Sequence, residues 1–190
     1  LFANQPGLDR LSQRRIRAAF DAADIDGRHT VLAELGVKPD GEGEFRDAAG
    51  TLTPPTTGPR NDLYILHAPP LFAAAAQRAL TDAALPASAV THVVTVSCTG
   101  FFAPGPDYRL VRDLGLSPTV ERYHLGFIGC AAALPALRTA AHICASDPRA
   151  VVLVVCAELC SLHLRASTDP QQIVAASVFA DGAAAAVVTA

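Results

Sequence analysis

His124-Leu125-Gly126-Phe127-Ile128-Gly129-Cys130-Ala131-Ala132-Ala133 is a short, apolar, strand-like run. It breaks at a glycine and delivers a cysteine to the head of an alanine-rich helix. That placement suits a nucleophile. The unpaired N–H groups and positive dipole end of a helix favour thiolate over thiol. The thiolate is the form that attacks an acyl carbon. Gly129 permits a tight turn and a close approach of substrate to the backbone. A buried structural cysteine is the competing reading of Cys130, because free cysteine is among the most buried residue types.

Outward from this stretch, strands alternate with helices. Residues 92–97 read as a β-branched strand, 98–105 as the loop after it, and 107–114 as a short helix closed by Gly115. Residues 120–125 are a strand and 130–145 the helix after the cysteine, of a type that suits full burial. Pro135 is an oddity there, tolerable only in a first turn. Residues 151–156 form a continuous Val/Leu run, the pattern of a strand buried on both faces. A helix over 171–177 and a strand over 183–189 follow. Toward the start, 9–23 has helical spacing, with Leu11, Ile16, Ala19 and Phe20 on one side and arginines on or near the other. Residues 29–35 suggest a short strand or helix start. Residues 36–62 suggest a long surface loop, and 71–84 an alanine-rich helix ended by Pro86. The sum is an α/β sheet covered by helices.

Bulk properties narrow the function. The chain has 190 residues, 51% hydrophobic and 17% charged, which suits one globular domain with a large core. A net charge of −3 gives no electrostatic footprint for nucleic acid. No apolar run reaches the length of a membrane span. Cys98, Cys130, Cys144, Cys156 and Cys160 are odd in number and include no C-x-x-C pair. We expect a reducing, cytoplasmic setting, with neither a disulfide framework nor a metal site. No methionine occurs, even at position 1. The chain is therefore expected to be processed or cut from a longer polypeptide.

Four segments then combine. They are Cys98-Thr99-Gly100-Phe101 with Pro104-Gly105-Pro106-Asp107-Tyr108, Gly126-Phe127-Ile128-Gly129-Cys130, Val154-Val155-Cys156-Ala157-Glu158, and Phe179-Ala180-Asp181-Gly182-Ala183-Ala184. In this order and spacing they resemble the type III polyketide synthases, the chalcone-synthase-like branch of the thiolase-fold condensing enzymes. The resemblance runs from about Arg14 to the end. It implies one repeat of a thiolase-like α/β fold, a mixed sheet with a buried nucleophile helix, and residues 1–190 as an N-terminal domain whose C-terminal half is absent.

Roles follow from the same resemblance. Cys130 matches the acyl-carrying nucleophile. Phe179 matches the gatekeeper between the CoA tunnel and the cavity. Cys98, Thr99, Ala103, Glu158, Cys160 and His163 fall on cavity-lining positions. The implied substrates are an acyl-CoA starter and malonyl-CoA, with no further cofactor, and the implied assembly is a homodimer. In the family a histidine and an asparagine stabilise the enolate formed by decarboxylation, and both lie in the C-terminal half. None of the six histidines here sits in that motif.

Small residues at Thr99, Ala103 and Cys160, with the Glu158-Leu159-Cys160-Ser161-Leu162 stretch, are similar to bacterial alkylresorcinol and alkylpyrone synthases. That similarity implies a long-chain fatty acyl starter. Cys98 is shared with tetrahydroxynaphthalene synthases, which keeps that subfamily open. A ketoacyl-synthase III, a non-catalytic thiolase-fold partner and a Cys/His hydrolase also compete with this reading. Two departures stand out. Ala180 replaces a common glycine, and the basic residues that contact CoA phosphates in plant members are not clearly kept, with Arg28 or the Arg14 to Arg17 group as substitutes.

Overall fold

A computed structural model describes residues 1–36 and 43–190. Part of the loop expected over 36–62, with Lys38, lies outside the described residues. The described chain forms two compact units. One comprises residues 1–60 with 159–181, the other residues 61–158 with 182–190.

The second unit is built on a four-stranded mixed sheet in the order β2-β1-β3-β4. The strands are β1 (His92–Ser97), β2 (Glu121–Gly126), β3 (Val152–Leu159) and β4 (Asp181–Val188). β1 is central and pairs parallel with both β2 and β3. Its valines are buried, as β-branched side chains between neighbouring strands should be. Register runs from His92 against Glu121 to Ser97 against Gly126, and Val96 lies opposite Cys156. Three parallel strands in register bring their carboxyl ends to one edge of the sheet. Crevices at such ends are where open α/β sheets bind ligands.

The helix after Cys130 starts with a 3₁₀ turn, Cys130–Ala132, and continues as α4, Ala133–Ser146. Pro135 is the third residue of α4, where its missing N–H has no carbonyl to serve. Ala136, Ala140 and Cys144 recur every four residues and pack on Val94, Val96, Val152 and Val154. Full burial of this helix is not what the described chain shows. Leu134 is 65% exposed and Leu137 41%. An apolar composition reads as buried all round, but the sheet here covers only one stripe.

The helix expected over 71–84 is a longer one. α2 runs from Thr57 to Asp82 and contains Pro69 and Pro70. Two consecutive prolines read as a break because each removes a backbone donor. The carbonyls left without helical partners belong to Ile65 and Leu66, and both residues are exposed, so water can serve those carbonyls. Residues 29–35 form no strand; a 3₁₀ turn, Ala33–Leu35, stands there. α3 spans Pro106–Asp113, and Gly115 after it has φ +62°, as expected for a helix-closing glycine.

The first unit packs α1 (Arg10–Ala22) with α5 (Pro170–Val178). Asp9 and Asp169 cap them, accepting from the N–H of Ser12 and Gln171. Among the described residues, Ile16, Leu32, Phe45, Leu52, Leu159, Leu162, Ile173 and Ala176 are its buried hydrophobic residues. No described helix is long and apolar enough to cross a membrane.

Candidate active site

The carboxyl ends of β1, β2 and β3 deliver three loops of chemistry. β1 ends at Ser97 and gives Cys98 and Thr99. β2 ends at Gly126 and leads through Phe127 and Ile128 to Cys130. β3 carries Glu158 near its end. Val96 lies opposite Cys156, so Cys98 and Glu158 each come two residues after one registered pair.

The Glu158 carboxylate organises the first loop. It accepts from the Cys98 N–H at 2.9 and 3.0 Å, from Thr99 Oγ1 at 2.7 Å and from Ser97 Oγ at 3.4 Å. Ser97 Oγ in turn accepts from the buried Tyr64 hydroxyl at 2.6 Å. Burial, with the Glu158 charge adding to it and the Ser97 hydrogen bond opposing, pushes the Tyr64 phenol up to about 12. Tyr64 therefore stays neutral and remains a donor. Asn61 holds the far side of the loop, donating to the Phe101 carbonyl at 2.9 Å and accepting from its N–H at 3.0 Å.

The second loop carries the exposed Cys130. Gly129 before it has φ +94° and ψ 179°, a conformation nearly confined to glycine. Phe127 also has positive φ, +59°, although it bears a side chain. Two such residues within three positions store local strain of about 1–3 kcal/mol at the non-glycine one. Strain of this kind clusters where a fold must present a reactive group. The Gly129 N–H donates to Cys98 Sγ at 3.2 Å, which ties the Cys130 elbow to the Glu158-held loop. Cys98, Thr99 and Glu158 are thus in direct contact, and Cys130 is one residue from it. Ala103 lies further along the first loop and is exposed.

Neighbouring titratable groups take other parts. Burial raises the Cys156 thiol above its ordinary value, and the Glu158 charge adds to this. Burial lowers the His124 imidazole, with Asp107 and Glu158 working against it. Its Nδ1 lies 2.8 Å from Thr95 Oγ1.

Phe179, Cys160 and His163 belong to the other unit. Phe179 follows α5, is 45% exposed and walls a cavity of about 330 Å³. Cys160 and His163 open and close a 3₁₀ turn after β3. His163 Nδ1 lies 3.0 Å from Arg60 Nη1. Ala180 has ordinary backbone angles, so the missing glycine causes no strain there. Arg28, a candidate for CoA phosphate, instead donates to the Ser177 carbonyl and lies over the Phe20 ring.

Sequence reasoning missed Tyr64, Ser97 and Asn61. Tyr64 and Asn61 sit in the part of α2 that Pro69 and Pro70 concealed. Gly100 explains why Tyr64 fits: a Cβ there would lie 2.1 Å from Tyr64 Cγ. Gly100→Ala is expected to lower stability by about 1–3 kcal/mol through overpacking. Urea denaturation of the full-length protein measures it, and an unchanged midpoint would contradict the packing argument.

Comparison with known proteins places the chain in a family. Residues 14–190 match the family described as chalcone and stilbene synthases, N-terminal domain. The chain is 37% identical over 181 residues to the alpha-pyrone synthesis polyketide synthase-like Pks18 of Mycobacterium tuberculosis, covering 95% of this chain and 44% of that protein. The C-terminal type III polyketide synthase domain of Steely1, a type I/III hybrid from Dictyostelium, superposes with TM-score 0.87 at 31% identity, over 99% of this chain and 50% of that one. The 1,3,6,8-tetrahydroxynaphthalene synthase of Streptomyces coelicolor A3(2) superposes with TM-score 0.76 at 31% identity, over 98% and 48%. The chain spans about half the length of each of these three.

Proposed function

The chain belongs to the chalcone and stilbene synthase family, matching its N-terminal domain, and we propose that it forms the nucleophile-bearing half of a type III polyketide synthase. The observation that carries this reading is the exposed Cys130 on a glycine-dependent elbow, where three parallel strands end. The Cys130 thiolate attacks the carbonyl of an acyl-CoA, forming a Cys130 thioester and releasing CoA thiolate. Malonyl-CoA loses carbon dioxide, and its enolate attacks that thioester. The new carbon–carbon bond expels the Cys130 thiolate and leaves a β-ketoacyl-CoA for the next round. The enolate oxyanion needs hydrogen-bond donors. The reading assigns them to the histidine and asparagine of the family's C-terminal half.

Phe179 acts as the gate, and Cys98, Thr99, Ala103, Glu158, Cys160 and His163 line the cavity. Homodimeric assembly and a cytoplasmic setting are part of the same reading and rest on the family resemblance. The starter is a long-chain fatty acyl-CoA, and the products are alkylpyrones or alkylresorcinols. The small side chains at 99, 103 and 160 and the similarity to Pks18 support this choice. A tetrahydroxynaphthalene synthase-like activity is the second reading, favoured by Cys98.

A series of acyl-CoA starters tests both. Long starters are expected to give the highest kcat/KM. Cys160→Phe should lower the long-starter value by at least about tenfold, since filling a pocket by a few methylenes carries such factors. Indifference to that substitution would remove the long-chain arm. Efficient turnover of malonyl-CoA alone would favour the second reading.

A further inference from the structure

Phe179 stands between two clamps made by one short stretch of chain. Two residues before it, the Ser177 carbonyl accepts from Arg28 Nε at 2.9 Å and also from Arg28 Nη2. The guanidinium is steadied by the Phe20 ring, 4.7 Å from its centroid. Two residues after it, the Asp181 N–H donates to the His29 carbonyl at 2.9 Å. The buried Asp181 carboxylate accepts from the Val31 N–H at 2.7 Å, the Ser161 N–H at 2.7 Å and the Ser161 hydroxyl at 2.5 Å. Residues 28–31 therefore hold the chain on both sides of Phe179. Ser161 directly follows Cys160, so the same carboxylate anchors the turn Cys160–His163.

This arrangement has a mechanical consequence. The Phe179 side chain is half-exposed at the wall of its cavity, and its backbone is held at both ends. Arg28 spends its fork on a backbone carbonyl. Asp181 fixes Phe179 and Cys160 to one point.

We infer that Arg28 and Asp181 are positioning residues for starter selection. They set where Phe179 and Cys160 stand, and through them which acyl chain length the enzyme accepts. The inference rests on the reading of Phe179 and Cys160 given above. Each acts through the chain it holds, Arg28 through the Ser177 carbonyl and Asp181 through Val31 and Ser161.

The test is the ratio of kcat/KM for a long over a short acyl starter in the full-length enzyme. It is measured twice, with CoA thioesters and with N-acetylcysteamine thioesters, which carry no phosphate. Arg28→Lys keeps the charge and loses the fork. Asp181→Asn keeps the shape and turns one acceptor into a donor facing other donors. Each is expected to shift the ratio by about tenfold in both series, because misplacement on the scale of an ångström carries factors of that order or more. Phe179→Ala serves as the reference. If Phe179→Ala shifts the ratio and the two folded variants do not, the positioning role is overturned while the gate stands. If Phe179→Ala leaves the ratio unchanged, the gate reading fails and the inference falls with it. A loss for Arg28→Lys confined to CoA esters and equal at every chain length would make Arg28 a phosphate contact and overturn its role here. Thermal unfolding checks folding. Should Asp181→Asn unfold, Arg28→Lys decides.

Discussion

Cys130→Ala in the full-length enzyme is expected to lower kcat by at least about 10³-fold, the scale on which loss of a covalent nucleophile is felt. Its stability should change by no more than about 0.5 kcal/mol, because Cys130 is exposed. The two measurements together separate a chemical role from a structural one. Mass spectrometry after incubation with acyl-CoA should find the acyl group on the Cys130 peptide of the wild type and on no peptide of the variant. Product formed by Cys130→Ala at a near wild-type rate, or an acyl group carried on Cys98 in its place, would dethrone Cys130. The second outcome is a real contest, because Cys98 Sγ lies 3.2 Å from the N–H of the residue that precedes Cys130.

Glu158→Ala carries the other large effect, and it acts on the scaffold first. The substitution removes the shared acceptor of the Cys98 N–H, the Thr99 hydroxyl and the Ser97 hydroxyl. Donors left without a partner in a partly buried place cost about 1–3 kcal/mol each at full burial. Some of these donors will find water, so a total loss of about 2–4 kcal/mol is expected. Glu158→Gln should lose less, because one oxygen remains and the Thr99 and Ser97 hydroxyls can rotate to accept from the new amide. Urea denaturation of the three proteins gives the order wild type, Glu158→Gln, Glu158→Ala. A Glu158→Ala midpoint equal to the wild type would show that the carboxylate does not hold the loop. The same variants should lose acyl transfer, because the Cys98 sulfur that accepts from Gly129 moves with the loop.

Periodicity made most of the second unit legible. β1 and the core of β3 follow from short β-branched or apolar runs bounded by turn residues. β2, Glu121–Gly126, is mostly polar and exposed. α1 follows from its helical spacing, although Leu11 is exposed and Ser12 is buried beside Ile16. These signals are local, and burial acts on them locally. Cys130 was legible for the same reason, since a strand, a glycine and an alanine-rich helix are neighbours in sequence. The full length of α2 was not. Pro69 and Pro70 carry a strong local signal for a break, and exposure of the Ile65 and Leu66 carbonyl groups, which only the fold reveals, makes that break unnecessary.

The sequence alone determined which residues have the chemistry: a thiol at a helix entrance, a carboxyl near a strand end, a phenylalanine beside an Asp-Gly pair. The tertiary structure decided which of them meet. Glu158 reaches Cys98 because two parallel strands pair in one register across 60 residues of chain. Asp181 reaches Val31 across 150 residues and Ser161 across 20, and so acts on both sides of a site that its own neighbours do not define. A hydrogen bond depends on distance and angle between groups, and for residues far apart in the chain only the packed fold sets either.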